Sequence, residues 1–211
     1  TYNSNKISSV KVNGAASLND TGLGITNKVL YYRESGASDS VTIGDAAISL
    51  STFAGDKTYQ IFATDNGGNE TVFKTFKFVA DGSAPNVTYT YEFLKDGVTD
   101  IANYYTVADP DDNGIILIKY NPDKLNGGNF KVTTNCSETV TLKKNVNNQG
   151  EANFEGIIGL SLTNGQSVPV ILTAYDIVYN SNIFAKLQFT SDNTLGVSNG
   201  GNTANNINAN I

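Results

Sequence analysis

The stretch DPDDNG, Asp109 to Gly114, has the residue types most suited to binding a metal ion. Its carboxylates alternate toward a glycine, as at the start of a D-x-D-x-N-G calcium loop. An EF-hand loop supplies about six to eight oxygens, ends in a bidentate glutamate at its twelfth position and lies between two helices. Here Tyr120 occupies the twelfth position, Pro110 the second, and the flanking segments are strand-like. The helix–loop–helix form of the site is therefore excluded.

Two interpretations of this stretch stay open. Asn113 and Gly114 readily take the positive φ of a tight hairpin turn, which would explain the same letters without a ligand. Alternatively, Asp109, Asp111 and Asp112 gather calcium at a sheet edge together with backbone carbonyls, because three close carboxylates repel one another unless an ion bridges them. Calcium bound by these three residues is the metal-site hypothesis, and no other cofactor is expected.

A pair of tyrosines just before this stretch, Tyr104 and Tyr105, could bind a sugar by stacking. Aromatic residues on alternating strand positions are also buried in cores, so packing is the competing interpretation. Both residues lie in the part of the chain from Asp96 to Asn129, where loops on a rigid scaffold would carry recognition if these residues do more than pack.

The rest of the composition excludes several functional classes. The 211 residues include no histidine, which removes imidazole-based catalysis and the commonest zinc ligand. The net charge of −6 disfavours binding to nucleic acid, and no apolar run approaches the ~18 residues needed for membrane insertion. The lone cysteine, Cys136, has no nearby cation to activate it. No motif marks a carboxylate pair for glycoside hydrolysis, so no catalytic residue is predicted.

The elements that position these residues are predicted to be β-strands. Val87, Tyr89, Tyr91 and Phe93 alternate with polar residues, and Asn- and Gly-rich turns separate many similar segments. The other predicted strands are Ile7–Val12, Lys28–Arg33, Thr58–Thr64, Val72–Val79, Ile115–Tyr120, Asn129–Thr134, Thr139–Lys143, Val168–Tyr175 and Ile183–Thr190. This spacing predicts an all-β sandwich or barrel.

An internal repeat indicates two domains rather than one. Tyr59–Asp81 aligns without a gap on Val170–Asp192, at an offset of 111 residues. The identities pair Ala63 with Ala174, Asp65 with Asp176, Asn69 with Asn180, Phe73 with Phe184, Phe78 with Phe189 and Asp81 with Asp192. Each copy has the form strand, D-x-x-x-N turn, strand, in which aspartate accepts backbone N–H groups and the turn returns the chain.

The repeat and the connector set the predicted boundaries. Proline in the DGSAP segment, Asp81 to Pro85, fixes φ and removes a hydrogen-bond donor, so the first module should end there in a short, stiff linker. We predict two tandem sandwiches, at residues 1–84 and 85–192. The Asn-rich stretch at 193–211 is predicted to be a flexible tail or linker.

The first hairpin and its linker resemble bacterial immunoglobulin-like repeats of the Big/HYR type. Those repeats carry Y-x-[IV]-x-A-x-D-x-x-G-N followed by a strand and D-x-x-x-P, matched here by Tyr59, Ile61, Ala63, Asp65, Gly68, Asn69, Asp81 and Pro85. The second copy departs with Val170 in place of the tyrosine and Tyr179 in place of the glycine, and it has no closing proline. The resemblance covers about 30 residues of the first module and is weaker in the second.

The resemblance implies two tandem immunoglobulin-like β-sandwiches from an extracellular or cell-surface bacterial protein. The expected role is a non-catalytic stalk, spacer or adhesive module whose partners are neighbouring modules and a glycan or host surface protein. The alternative is a carbohydrate-binding module that uses the enlarged second domain. Since the sequence begins at Thr1 and not at methionine, it is expected to be part of a longer protein.

Overall fold

A computed structural model describes residues 1–53 and 55–197 of the chain. Strands dominate it and the helical segments are short, so the predicted all-β class is confirmed. The chain divides into two compact units, Thr1–Ser83 and Ala84–Ile211. Of the predicted Asn-rich tail, residues 198–211 lie outside the described residues. No helix in the described part of the chain is long and apolar enough to span a membrane.

Unit 1 is built from short strands. They are β1 (Tyr2–Asn3), β2 (Ser9–Val10), β3 (Leu30–Glu34), β4 (Val41–Ile43), β5 (Ile48–Ser49), β6 (Tyr59–Thr64), β7 (Glu70–Phe76) and β8 (Ala80–Asp81), with 3₁₀ turns at Ala15–Ser17 and Leu50–Phe53. The larger sheet has the antiparallel order β4-β3-β6-β7. Facing it, β2 pairs with β5, while β1 runs parallel to β8.

The core of unit 1 lies between these layers. Leu30, Tyr32 and Tyr59 project from the larger sheet, and Leu50 and Phe53 from the turn that follows β5. The Phe53 ring makes edge contacts with Tyr32 and Tyr59, at centroid distances of 5.2 and 4.9 Å. Such edge-to-face pairs add to the stabilisation that apolar burial provides.

Unit 2 has longer strands on the same plan. They are β9 (Val87–Leu94), β10 (Tyr105–Val107), β11 (Ile115–Tyr120), β12 (Asn129–Cys136), β13 (Thr141–Val146), β14 (Glu151–Asn153), β15 (Ile157–Gly159), β16 (Ser167–Tyr175) and β17 (Ser181–Ser191). A 3₁₀ turn spans Ile101–Tyr104 and the short helix α1 spans Pro122–Leu125. The two sheets have the orders β10-β11-β17-β16-β13-β14 and β15-β12-β9.

The core of unit 2 fills the space between its two sheets. Phe93, Phe130 and Val132 face it from the smaller sheet, and Leu187 and Phe189 from the larger one. Phe130 meets Phe189 edge to face across the gap, at 5.1 Å between ring centroids. The alternation predicted for β9 is confirmed: its odd-numbered residues face the core and its even-numbered residues are exposed.

Both units place their last strand beside an early strand in parallel. In unit 2, β11 pairs with β17 from Ile115↔Lys186 to Tyr120↔Ser191. In unit 1, the equivalent pair β1 and β8 has the register Tyr2↔Ala80 and Asn3↔Asp81. Since most neighbouring strands are antiparallel, the chain must cross between sheets to reach this position, as it does in immunoglobulin-like sandwiches.

Candidate functional site

The DPDDNG stretch forms the loop of the β10–β11 hairpin. One oxygen of Asp111, Oδ1, accepts the backbone N–H groups of Asn113 and Ile115, at 2.9 and 2.8 Å. The N–H of Gly114 donates to the carbonyl of Asp111 at 2.8 Å, and Gly114 has φ of +71°. This is the hairpin turn that was one of the two interpretations of the sequence.

The three carboxylates of the metal hypothesis are exposed in this loop. Oδ1 of Asp111 accepts the hydrogen bonds that hold the turn, and the carboxylates of Asp109 and Asp112 lie on either side of it in the sequence. Over the described residues, no three acidic, histidine or cysteine side chains are grouped as a metal site. Calcium binding by Asp109, Asp111 and Asp112 stays a prediction. The hydrogen bonds that Asp111 accepts explain why an aspartate stands at this position without requiring an ion.

The two candidate sugar-stacking tyrosines pack against the core of unit 2. The Tyr105 ring stacks on Phe93 with 4.2 Å between centroids. The Tyr104 ring lies against Gly196 so closely that a Cβ at position 196 would fall 2.5 Å from it. Phe93 therefore covers one face of the Tyr105 ring and Gly196 lies against the Tyr104 ring, and sugar binding by these residues stays a prediction.

The turn at Asp111 occurs twice more, in the repeated hairpins of both units. In each, Oδ1 of the aspartate accepts the N–H groups two and four residues ahead, at 2.8 and 2.8 Å for Asp65 and 2.8 and 2.9 Å for Asp176. All three aspartates also donate their own N–H to the carbonyl four residues ahead, at 3.0 Å. The local hydrogen bonds thus follow one pattern at three positions.

The two repeated hairpins add a contact that Asp111 lacks. The Nδ2 groups of Asn69 and Asn180 donate to Oδ2 of their aspartates, at 2.8 Å in each case. These bonds, together with the backbone donors, lower the pKa of the Asp65 carboxyl, because they favour its charged form. The D-x-x-x-N pattern found in the sequence is therefore a set of specific bonds around one carboxylate.

A second repeat links the early strands of the two units, and sequence reasoning missed it. Residues Tyr2–Ile7 (YNSNKI) align on Tyr120–Leu125 (YNPDKL). In both segments a buried asparagine, Asn3 or Asn121, accepts the N–H two residues ahead through its side chain, at 3.0 and 2.9 Å. Its backbone carbonyl accepts the N–H four residues ahead, at 2.9 Å in both. The detectable signal was the shared spacing Y-N-x-x-K followed by Ile7 or Leu125, six residues in all.

In unit 2 this asparagine also holds the end of the last strand. The Nδ2 of Asn121 donates to the carbonyls of Asn193 and Leu195, at 3.2 and 2.7 Å. The N–H of Asp192 donates to the carbonyl of Tyr120 at 2.8 Å. The exit of β17 is thus fixed to the exit of β11 by side-chain and backbone bonds.

A cavity of about 570 Å³ lies in unit 1, beside the hairpin of β6 and β7. Its lining includes the carboxylates of Asp20 and Asp65. Asp20 accepts the N–H groups of Gly22 and Gly24, at 3.1 and 2.8 Å, and Asp65 holds its own turn. Both acids thus act as turn acceptors, which gives each a structural role that requires no catalysis.

Comparisons with known proteins leave the family open. No family model and no curated protein matches the chain. The chain is similar to a solved structure of fibronectin(III)-like modules of CbhA from Clostridium thermocellum, with 12% identity and a TM-score of 0.41 over 82% of this chain and 83% of that one. A likeness of this size identifies neither a family nor a function.

Proposed function

We propose that this chain is a structural or adhesive segment, a stalk or spacer, of a bacterial protein that is secreted or displayed on the cell surface. The observation that carries the proposal is the repeated plan: two immunoglobulin-like units, each closed by a parallel pair between an early strand and the last strand. The proposed partners are neighbouring modules of a longer chain, and a glycan or host surface protein where the segment adheres.

The strand pairs nearest the two ends of each unit form a load-bearing clamp. In unit 1 they are the first and last strands, β1 and β8, and tension along their parallel ladder loads its hydrogen bonds together. In unit 2 tension enters through β9, which eight residue pairs join to β12, and leaves through β17, which six residue pairs join to β11. Resistance to forced unfolding is set by the unfolding barrier, which such a clamp raises.

The composition supports a non-catalytic role. Without histidine, an enzyme would depend on carboxylates, lysine or tyrosine. Asp20, Asp65, Asp111 and Asp176 each hold a turn by accepting backbone N–H groups. These four aspartates therefore have a structural role in the described residues that requires no catalysis.

Surface display is tested on intact cells of the organism that makes the protein. An antibody raised against residues 84–197 should label intact cells or collect in the culture medium, and brief external protease treatment should remove the cell-bound signal. A cytoplasmic enzyme serves as the control that must stay unlabelled and intact. Labelling that appears only after the cells are lysed would overturn the proposed location.

A further inference from the structure

The alignment of the two units reveals a difference along the last strand. In unit 2, residues Lys186–Thr190 of β17 pair with Ile115–Lys119 of β11. The 111-residue offset places 75–79 of unit 1 at the positions of 186–190. Within the described residues, β7 ends its sheet and no strand pairs with the outer edge of 75–78, while the carbonyl of Val79 already accepts the N–H of Tyr2 at 2.9 Å. Unit 1 thus keeps only the final pair of this ladder, Tyr2↔Ala80 at the position of Tyr120↔Ser191, and extends it by Asn3↔Asp81.

The side chains under this edge show the same difference. Leu187 and Phe189 of unit 2 are 2% and 3% exposed, because β11 and the facing sheet cover them. Their counterparts in unit 1, Phe76 and Phe78, are only partly buried, and Val79 is 43% exposed. An open strand edge with apolar residues beneath it is a template for pairing with another strand.

An apolar groove lies beside this edge. Its volume is about 210 Å³ and its lining includes Val10, Ile48, Phe53, Phe76 and Phe78. In unit 2 the equivalent space is filled from β11, where Ile118 is fully buried and Ile116 packs against the core. The groove therefore has the position and chemistry of the seat for an isoleucine-bearing strand.

We propose that the edge 75–79 and this groove form a strand-acceptor site. Its occupant is an extended segment that runs parallel to this edge, carries branched apolar residues at alternate positions and continues directly into Thr1 and Tyr2. The site would thereby gain the backbone bonds that β17 already makes with β11.

The direction and register of the occupant follow from the short ladder that is present. Tyr2 and Asn3 already pair in parallel with Ala80 and Asp81, so an extension backward from Tyr2 continues an existing interface. The shared Y-N turn fixes Tyr2 at the position of Tyr120. The residues that face the groove are therefore those at the positions of Ile116 and Ile118.

The test is a graft onto the full chain. The sequence of Asn113–Ile118, NGIILI, is fused to Thr1, which places the copy of Ile118 directly before Thr1. Hydrogen–deuterium exchange of the amides at 75–79 should slow by about tenfold or more, because exchange then requires the added strand to open. Amides at 186–190 serve as the reference for a folded, paired edge.

Two matched grafts separate strand insertion from a general effect of added residues. In the first, the groove-facing copies carry Ile116→Asp and Ile118→Asp, and the protection should be lost. In the second, the outward copies carry Ile115→Thr and Leu117→Thr, and the protection should remain. Unchanged exchange with the original graft, or equal protection by both controls, would overturn the proposal.

A further measurement tests two other occupants of the edge, a second copy of the chain and residues 198–211. The ungrafted chain is compared with a chain ending at Val197 by light scattering and by exchange at 75–79. We expect both chains to be monomeric with equally fast exchange there. Self-association that protects 75–79, or protection that disappears with residues 198–211, would assign the edge to a second copy or to the tail and would overturn the assignment to a segment joined to Tyr2.

Discussion

At the scale of single residues, one carboxylate pattern explains the acidic residues that the sequence singles out. Asp65, Asp111 and Asp176 accept the same two backbone N–H groups ahead of them. Two of the three could be predicted, because an asparagine follows four residues later and the hairpins repeat. The third could not, because Ile115 stands in place of that asparagine and the letters DPDDNG are equally compatible with calcium.

The two repeated aspartates offer a matched pair for mutation. Asp176 and Asn180 are buried, whereas Asn69 is exposed and Asp65 partly exposed. We expect Asp176→Ala to lower the free energy of unfolding of unit 2 by about 3 kcal/mol, because it leaves buried donors unpaired. Asp65→Ala should destabilise unit 1 less. Differential scanning calorimetry of the full chain measures both, and an equal or larger loss for Asp65→Ala would contradict the burial argument.

The Asp65 turn predicts a pH dependence with a definite sign. Bonds from Asn69 hold the pKa of this carboxyl below its ordinary value of 3.8, so the charged form stabilises the folded state. That stabilisation is present above the unfolded pKa and is lost as pH falls through the lower folded pKa. NMR titration of the carboxyl should show the depressed pKa and a rise toward 3.8 in Asn69→Ala. A pKa at or above 3.8 in the unsubstituted chain would contradict the account.

The calcium hypothesis has a direct test. Because Asp111 already accepts two N–H groups, we expect a chelator-treated chain to melt at the same temperature before and after calcium is added. Asp109→Asn together with Asp112→Asn provides the control. A rise in melting temperature with calcium that this double substitution removes would establish the ion site instead of the simple turn.

At the scale of elements, the repeated hairpins share an irregularity that the sequence did not reveal. The register of β6 and β7 shifts between Ile61 and Phe62, and that of β16 and β17 shifts at the aligned position, between Leu172 and Thr173. The extra residue is a phenylalanine in both, Phe73 or Phe184. A bulge of this kind depends on which residues pair across the turn, so alternation within one strand cannot locate it.

The bulged phenylalanines differ in what covers them. Phe184 packs edge to face on Tyr89 of β9, at 5.8 Å between ring centroids. Phe73 is 54% exposed, because within the described residues unit 1 has no counterpart of β9 beside it. The same sequence position is thus part of a core in one unit and of an open surface in the other, a difference set by a strand distant in the chain.

The turn of the first hairpin depends on a glycine. Gly68 has φ of +83° with no atom within 4 Å of an added Cβ, so strain and not crowding limits substitution there. We expect Gly68→Ala to lower the free energy of unfolding of unit 1 by about 1 kcal/mol. Gly44→Ala is the control, since Gly44 is equally uncrowded and has no positive φ. If calorimetry shows that the two substitutions lower the free energy of unfolding equally, backbone strain at Gly68 is not the cause.

At the scale of the whole molecule, the repeat of the hairpins could be predicted from the sequence, but the parallel strand pair that closes each unit could not. The gapless alignment of the hairpins predicted two sandwiches, the chain divides into two compact units, and strands such as Ile115–Tyr120 were located to the residue. Strands of two or three residues, including β1, β5 and β8, are too short to show a period. The parallel ladder was also out of reach, since β11 and β17 are far apart in sequence and only packing of the two sheets brings them together.

The two units are separate sandwiches, each closed by a parallel strand pair. Pulling single molecules of the full chain from its two ends distinguishes this arrangement from one continuous domain. We expect two unfolding events, with length gains of roughly 250 Å for unit 1 and roughly 350 Å for unit 2 at about 3.3–3.6 Å per extended residue. Unit 2 should unfold at the higher force, because eight residue pairs hold its first strand, β9, whereas two hold β1, the first strand of unit 1. A single event that releases the whole chain, or a unit 1 that unfolds at a higher force than unit 2, would show that the arrangement is wrong.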